Sequence, residues 1–203
     1  VVTSAAKRVL AFDLGGTRLK AGIVRDGAIE RQITVDAAGD LLQLLADVGM
    51  QLRGGCSIDA VALALPGLVD GGVLVSLPGK HSGIEGINLE QHMAARFGAS
   101  GLVLNDALAY AAGEASGGAA RGAQRAVVVT VGTGIGVAVV DRGSPLGSGP
   151  LGAGLLGGHI PIAEDSPASD SNGQRGTIEA LCAAERLLDT LDAAQYPDVA
   201  SLL

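Results

Sequence analysis

Cysteine is scarce. Only Cys56 and Cys182 occur in 203 residues, far apart in sequence. That excludes a disulfide framework and any CxxC metal spacing, and it fits a reducing, cytoplasmic setting. Basic residues are outnumbered: 14 Lys and Arg stand against 21 Asp and Glu, a net charge of -7, and the basic residues are scattered, with no run longer than Lys7-Arg8. Such a chain has no electrostatic grip on nucleic acid. No apolar run is long enough, and free enough of glycine, to span a membrane. Residues 1–8 lack the apolar stretch and cleavage site of a signal peptide. The patterns GxxxxGK[ST], HExxH and GxSxG are all missing, which argues against P-loop, zincin and α/β-hydrolase chemistry. Aromatics make up only 2% of the chain.

What is present is a globular composition, 48% hydrophobic and 17% charged, with apolar content enough for a real core. Glycine is abundant, at 32 residues, so short glycine motifs arise by chance and need other residues beside them. The matches to GxGxxG at 147–152 and 152–157 follow no clear strand and are read as such chance.

Alternation and turn signals organise the chain. Val9–Leu14, Leu19–Val24 and Ala28–Val35 read as three strands of an antiparallel meander, with Asp26-Gly27 as a hairpin turn. Leu41, Leu44, Leu45, Val48 and Leu52 recur at helical spacing. Ile58–Leu65 reads as a buried strand stopped by Pro66-Gly67, and Leu89–Phe97 as a helix. Leu102–Leu104 is a short strand that delivers Asn105 and Asp106, and Ala107–Glu114 is helical. The opening pattern then returns: Ala126–Val131 is a strand, Gly132–Gly136 a turn, Val137–Val140 a strand. FDLGGTRLKAGIV and VTVGTGIGVAVVD are both strand, Gly/Thr turn, strand. This duplication predicts two α/β domains, 1–104 and 105–203, facing across a cleft. Gly143–Gly158 reads as a loop and Ile178–Ala194 as a final helix. The start at Val1 suggests trimmed residues, and the second half looks incomplete after Leu203.

Three segments carry candidate chemistry. Asp13-Leu14-Gly15-Gly16-Thr17 offers a carboxylate at a strand end, a pliant backbone and a hydroxyl. That suits a phosphate nest with Asp13 toward Mg²⁺, and it equally suits a plain hairpin turn. Gly132-Thr133-Gly134 is a second such turn, and two of them facing one another would clamp a triphosphate. Asn105-Asp106, between a strand and a helix, suits a general base for a hydroxyl and equally a helix N-cap. His159 follows the glycine-rich loop as a possible substrate contact. His81 is a weaker candidate, and His92 falls on a helix as a surface residue.

Taken together, DLGGT, the LPG after a strand, LNDALAYAAGE, VVVTVGTGIG and a later GH resemble the ROK family of bacterial sugar kinases and sugar-responsive repressors. The resemblance implies an actin-like (ribonuclease H-like) α/β fold and an ATP- and Mg²⁺-dependent sugar kinase. By that likeness Gly15, Gly16, Thr17, Gly132, Thr133 and Gly134 hold ATP phosphates. Asp106 is the catalytic base. Gly67, Asn105, His159 and Glu179 meet the sugar. A homodimer is also implied, while the acidic balance and the lack of a long apolar run set aside nucleic-acid and membrane partners. The missing C-terminal segment would complete the second domain.

The departures from the family pattern are specific. Leu156 stands where ExGH has its glutamate, and Gly79 where an asparagine follows Pro78. Asp170, Asn172 and Thr177 replace the three zinc-binding cysteines of CxCGxxGCxE. One histidine without thiolates does not make the usual tetrahedral site, so no zinc is expected. A degenerate sugar-binding protein, or a regulator, remains the alternative; for a regulator the first strand begins too near the start to leave room for a helix-turn-helix.

Overall fold

A computed structural model describes residues 7–77, 83–147 and 157–189. The expectations that fall on Pro78, Gly79, His81, Leu156 and the glycine matches reaching into 148–156 lie outside the described residues, as does the end of the helix expected to reach Ala194. The chain forms two compact units, one running to Asp106 and the other taking up at Ala107.

The first unit opens with β1 (Arg8–Leu14), β2 (Arg18–Arg25) and β3 (Ala28–Asp36). Alternation sets their faces: Leu10, Phe12 and Leu14 on β1, and Leu19, Ala21 and Ile23 on β2, are buried. The β2–β3 turn is Asp26-Gly27, with φ of 50° and 80°. Two consecutive positive φ values match the twist of a tight hairpin. Helix α1 (Leu41–Arg53) is capped by Asp40, whose carboxylate accepts from the Gln43 N–H at 3.1 Å. β4 (Ala60–Leu65) returns to the sheet, followed by a small hairpin of β5 (Leu68–Asp70) and β6 (Val73–Ser76). Helix α2 (Leu89–Phe97) lies between the Asn88 cap and Gly98, whose φ is 66°. β7 (Ser100–Asn105) completes a sheet of order β3-β2-β1-β4-β7. β1, β4 and β7 are parallel neighbours.

Both phenylalanines of the chain meet in this core. Phe12 and Phe97 have ring centroids 6.1 Å apart. A Cβ on Gly49 of α1 would run into the Phe97 ring and come within 3.0 Å of Phe12. Glycine at 49 is therefore a packing requirement, not a break in the helix.

The second unit contains α3 (Asp106–Gly117, from Ala107 onward), β8 (Arg125–Val131), β9 (Ile135–Asp141) and β10 (Ser144–Pro145), in a sheet of order β10-β9-β8. The Arg142-Gly143 turn between β9 and β10 repeats the β2–β3 turn, with φ of 50° and 81°. In each unit the second strand of the sheet thus ends in a turn of the same backbone geometry. The core of this unit is fine-grained: Ala107, Leu108, Ala111 and Ala115 of α3 pack with Ala138 and Val140 of β9.

Two expectations need correction. The loop expected over 143–158 begins with the short strand β10. The helix expected from Ile178 is two pieces, α4 (Ile178–Cys182) and α5 (Ala184–Asp189), broken at Ala183 with ψ of 156°. The break has a cause: the Ala184 N–H donates to the Gly132 carbonyl at 2.9 Å. Among the described residues no helix is long and apolar enough to cross a membrane.

Candidate active site

In the first unit the sheet itself gathers the candidates. β1, β4 and β7 run in parallel, with Asp13 beside Ala64 and Leu65 beside Asn105. Asp13, Gly67, Asn105 and Asp106 therefore lie at the carboxyl ends of three adjacent strands. Such an edge is where open α/β sheets bind ligands. Two strand spacings put the ends of β1 and β7 about 10 Å apart.

Asp13 is half-buried, its side chain 39% exposed, with the Lys20 Nζ at 3.8 Å. The following turn is closed by the Gly15 N–H donating to the Arg18 carbonyl at 2.8 Å, and Gly15, Gly16 and Thr17 are exposed. Neither glycine has a positive φ, and a Cβ on Gly16 would meet nothing of the protein. The fold alone does not demand glycine at 16. Gly67 is different: φ is 113°, and a Cβ would collide with the Ser76 carbonyl. The Asn105 Nδ2 donates to the Gly67 carbonyl at 3.0 Å, tying the end of β7 to the turn after β4. Asp106 follows directly, half-buried, as the first residue of α3.

In the second unit the Gly132-Thr133-Gly134 turn is closed by the Gly132 N–H donating to the Gly134 carbonyl at 3.0 Å. As at Gly16, a Cβ on Gly132 would meet nothing. On Gly134 it would lie 2.5 Å from the Glu179 Oε2. That oxygen accepts from the Ile135 N–H at 3.0 Å. Oε1 accepts from the Ser171 N–H at 3.0 Å and from the Ser171 hydroxyl at 2.6 Å. Burial raises the Glu179 carboxyl pKa, but the bonds from Ser171 and Ile135 outweigh it and hold the group below its ordinary value. Glu179 is thus a buried clamp between the glycine turn and the 171 loop.

His159 ends a short 3-10 turn, Gly157–His159, and its Nδ1 lies 2.8 Å from the Asp170 Oδ2. The second unit therefore brings together Gly134, Glu179, Ser171, Asp170 and His159. Asp170 and Ser171 were not site candidates in the sequence. The only signal for Asp170 was its place at a motif cysteine, and for Ser171 there was none. Cys56 and Cys182 are both free thiols. His92, expected at the surface of α2, is partly buried.

Comparison with known proteins bears on this arrangement. Residues 9–196 match the ROK family. The chain is 31% identical to the glucokinase of Thermotoga maritima over 188 residues, covering 87% of this chain and 57% of that protein. It is 31% identical to the N-acetylmannosamine kinase of Pasteurella multocida over 196 residues, covering 94% and 64%. The chain thus spans less than two thirds of the length of either relative. Among solved structures, a ROK family glucokinase from Streptomyces griseus, in complex with glucose and AMPPNP, superposes with a TM-score of 0.79 at 24% identity, covering 90% of this chain and 59% of that one. The fold is the actin-like α/β arrangement expected from the sequence.

Proposed function

This chain belongs to the ROK family, and we propose that it works as a sugar kinase, transferring the γ-phosphoryl group of ATP to a hydroxyl of a hexose or an N-acyl hexosamine. The observation that carries the proposal is the shared strand-end edge of Asp13, Gly67, Asn105 and Asp106. The kinase relatives, acting on glucose and on N-acetylmannosamine by name, support the substrate class.

In this reading Asp106 accepts the proton of the attacking sugar hydroxyl, so that the oxygen gains nucleophilic character as it approaches phosphorus. Asn105 holds the base in place through its bond to the Gly67 carbonyl and contacts the sugar. His159 and Glu179 act through the 159–179 segment they order, since their own polar atoms are taken up by Asp170, Asn172, Ser171 and Ile135. The Gly15 and Gly132 N–H groups close their turns, so Gly16 and Thr17 in the first unit, and Thr133 and Gly134 in the second, are what each turn offers to phosphate oxygens. Room for this comes from Gly16 and Gly132, where a side chain would meet nothing of the protein. At both positions the chain's own packing does not require glycine. Mg²⁺, when bound with ATP, supplies charge neutralisation on the phosphates. The exposed part of the Asp13 carboxylate suits a hold on it through water.

The test is a coupled ADP-release assay over a panel of hexoses and N-acyl hexosamines, with the Asp106→Asn variant alongside. Turnover with at least one sugar, lost in the variant, is the expected result. No turnover with any sugar of the panel, while sugar binding persists by calorimetry, would instead favour the binding-only alternative.

A further inference from the structure

Family resemblance implies a zinc ion held by His159 and three cysteines. Here the cysteine positions are Asp170, Asn172 and Thr177, and the geometry around them is closed. The Asp170 side chain is fully shielded from solvent. Its Oδ2 accepts from the His159 Nδ1 at 2.8 Å and from the Thr177 hydroxyl at 3.0 Å. Its Oδ1 accepts from the Asn172 N–H and the Gln174 N–H, both at 2.9 Å. A carboxylate offers about four acceptor sites, so these four donors saturate it.

We propose that Asp170 replaces the metal in this chain: its carboxylate is the hub of a zinc-independent clip that fastens the 159–179 segment through hydrogen bonds alone. His159 is committed at both ring nitrogens. Nδ1 donates to Asp170, and Nε2 accepts from the Asn172 Nδ2 at 3.3 Å. Since a carboxylate only accepts and an amide nitrogen only donates, one neutral tautomer is selected. Thr177 extends the clip into α4, where its oxygen also accepts from the Ala180 N–H at 3.2 Å as the helix cap. That helix carries Glu179, and Glu179 holds the Ile135 N–H.

The ligand-type atoms of His159, Asp170 and Glu179 do lie within 4.8 Å of one another, a spacing that would suit a cation. The donor chemistry speaks against one. Zinc takes about four ligands, with deprotonated nitrogen, thiolate or carboxylate lone pairs turned toward it. Here both Asp170 oxygens are spent on donors. Three N–H and O–H groups already point at Glu179, and the imidazole nitrogen beside Asp170 carries the proton. Asn172 and Thr177 are poor substitutes for thiolate.

The experiment uses the tag-free full chain, purified without added metal. Zinc content is read by mass spectrometry, thermal unfolding with and without 1,10-phenanthroline and EDTA, and zinc chloride is titrated by calorimetry. The expected result is zinc far below one ion per chain, an unchanged midpoint with chelator and no saturable heat. Asp170→Asn should lower the midpoint by about 5 °C or more. It should also change the ¹⁵N pattern of His159 from the single Nδ1–H tautomer, with the resonance assigned by His159→Gln. Near-stoichiometric zinc, or a midpoint that falls on chelation, overturns the proposal. So does an Asp170→Asn chain as stable as the parent, with an unaltered His159 signal. If Asp170→Asn does not fold, the chelator and zinc measurements on the unaltered chain still decide. None of these readouts depends on kinase turnover, so the clip and the proposed activity fail separately.

Discussion

The Glu179 carboxylate and the Ile135 amide are joined at 3.0 Å across 44 residues of sequence. The bond exists because residue 134 has no side chain: a Cβ there would occupy the space of the Glu179 Oε2. Gly134→Ala should therefore cost about 1–3 kcal/mol through forced displacement of a buried carboxylate. Gly132→Ala, two residues earlier, meets nothing and should stay within about 0.5 kcal/mol of the parent. If Gly132 leaves room for phosphate, that same substitution should raise the KM for ATP. Chemical denaturation and ATP saturation curves on the pair distinguish packing from ligand space.

Asp106→Asn should lower kcat by about 10²–10⁴-fold, the usual contribution of a positioned general base. Sugar affinity by calorimetry should be nearly unchanged. Equal losses in binding and turnover would point to a positioning defect rather than a missing base.

Gly49→Ala places a methyl group between the Phe12 and Phe97 rings. A helix ordinarily gains up to about 1 kcal/mol from this exchange. Here the overpacking should reverse the sign, with a net loss of about 1–3 kcal/mol. Unfolding midpoints in urea measure it, and a stabilised variant would show that the rings yield.

Acid should loosen the second unit. Burial raises the Asp170 carboxyl pKa, but the bonds from His159, Gln174, Thr177 and Asn172 outweigh it, so the group titrates below its ordinary value, as Glu179 also does. As pH falls, the unfolded chain takes up these protons before the folded one. The stabilisation is complete above the ordinary carboxyl range near pH 4 and is lost as pH drops through the lower folded values. Thermal midpoints measured from pH 6 to pH 3 should fall below about pH 4, and less steeply in Asp170→Asn.

Much of the fold could be read from local pattern. Alternation gave β1 to β3, the Asp26-Gly27 pair gave their turn, and α2 ran to its expected ends because Asn88 and Gly98 cap it. The β5–β6 hairpin escaped because its strands are only three and four residues long. Its Gly71-Gly72 turn, with φ of 54° and 80°, was the available signal. The break at Ala183 was not legible at all. It depends on a carbonyl at Gly132, more than fifty positions away, and no local propensity reports that. The candidate residues themselves were visible as motifs. Their partners were not: nothing near Glu179 in sequence foretells Ile135, and nothing local marks Asp170 as a hub with four donors.

The alanine seam between α3 and β9 carries a last implication. Ala107, Ala111, Ala115 and Ala138 have no rotamers to lose on folding, so helix and strand join there without an entropic toll from side chains. All four are buried, with exposure of 8% or less, so a larger side chain has no open solvent to turn into. A randomised library over these four codons, sorted for folded protein, should come back filtered by volume: glycine, alanine and serine would pass, and leucine would be rejected as firmly as lysine.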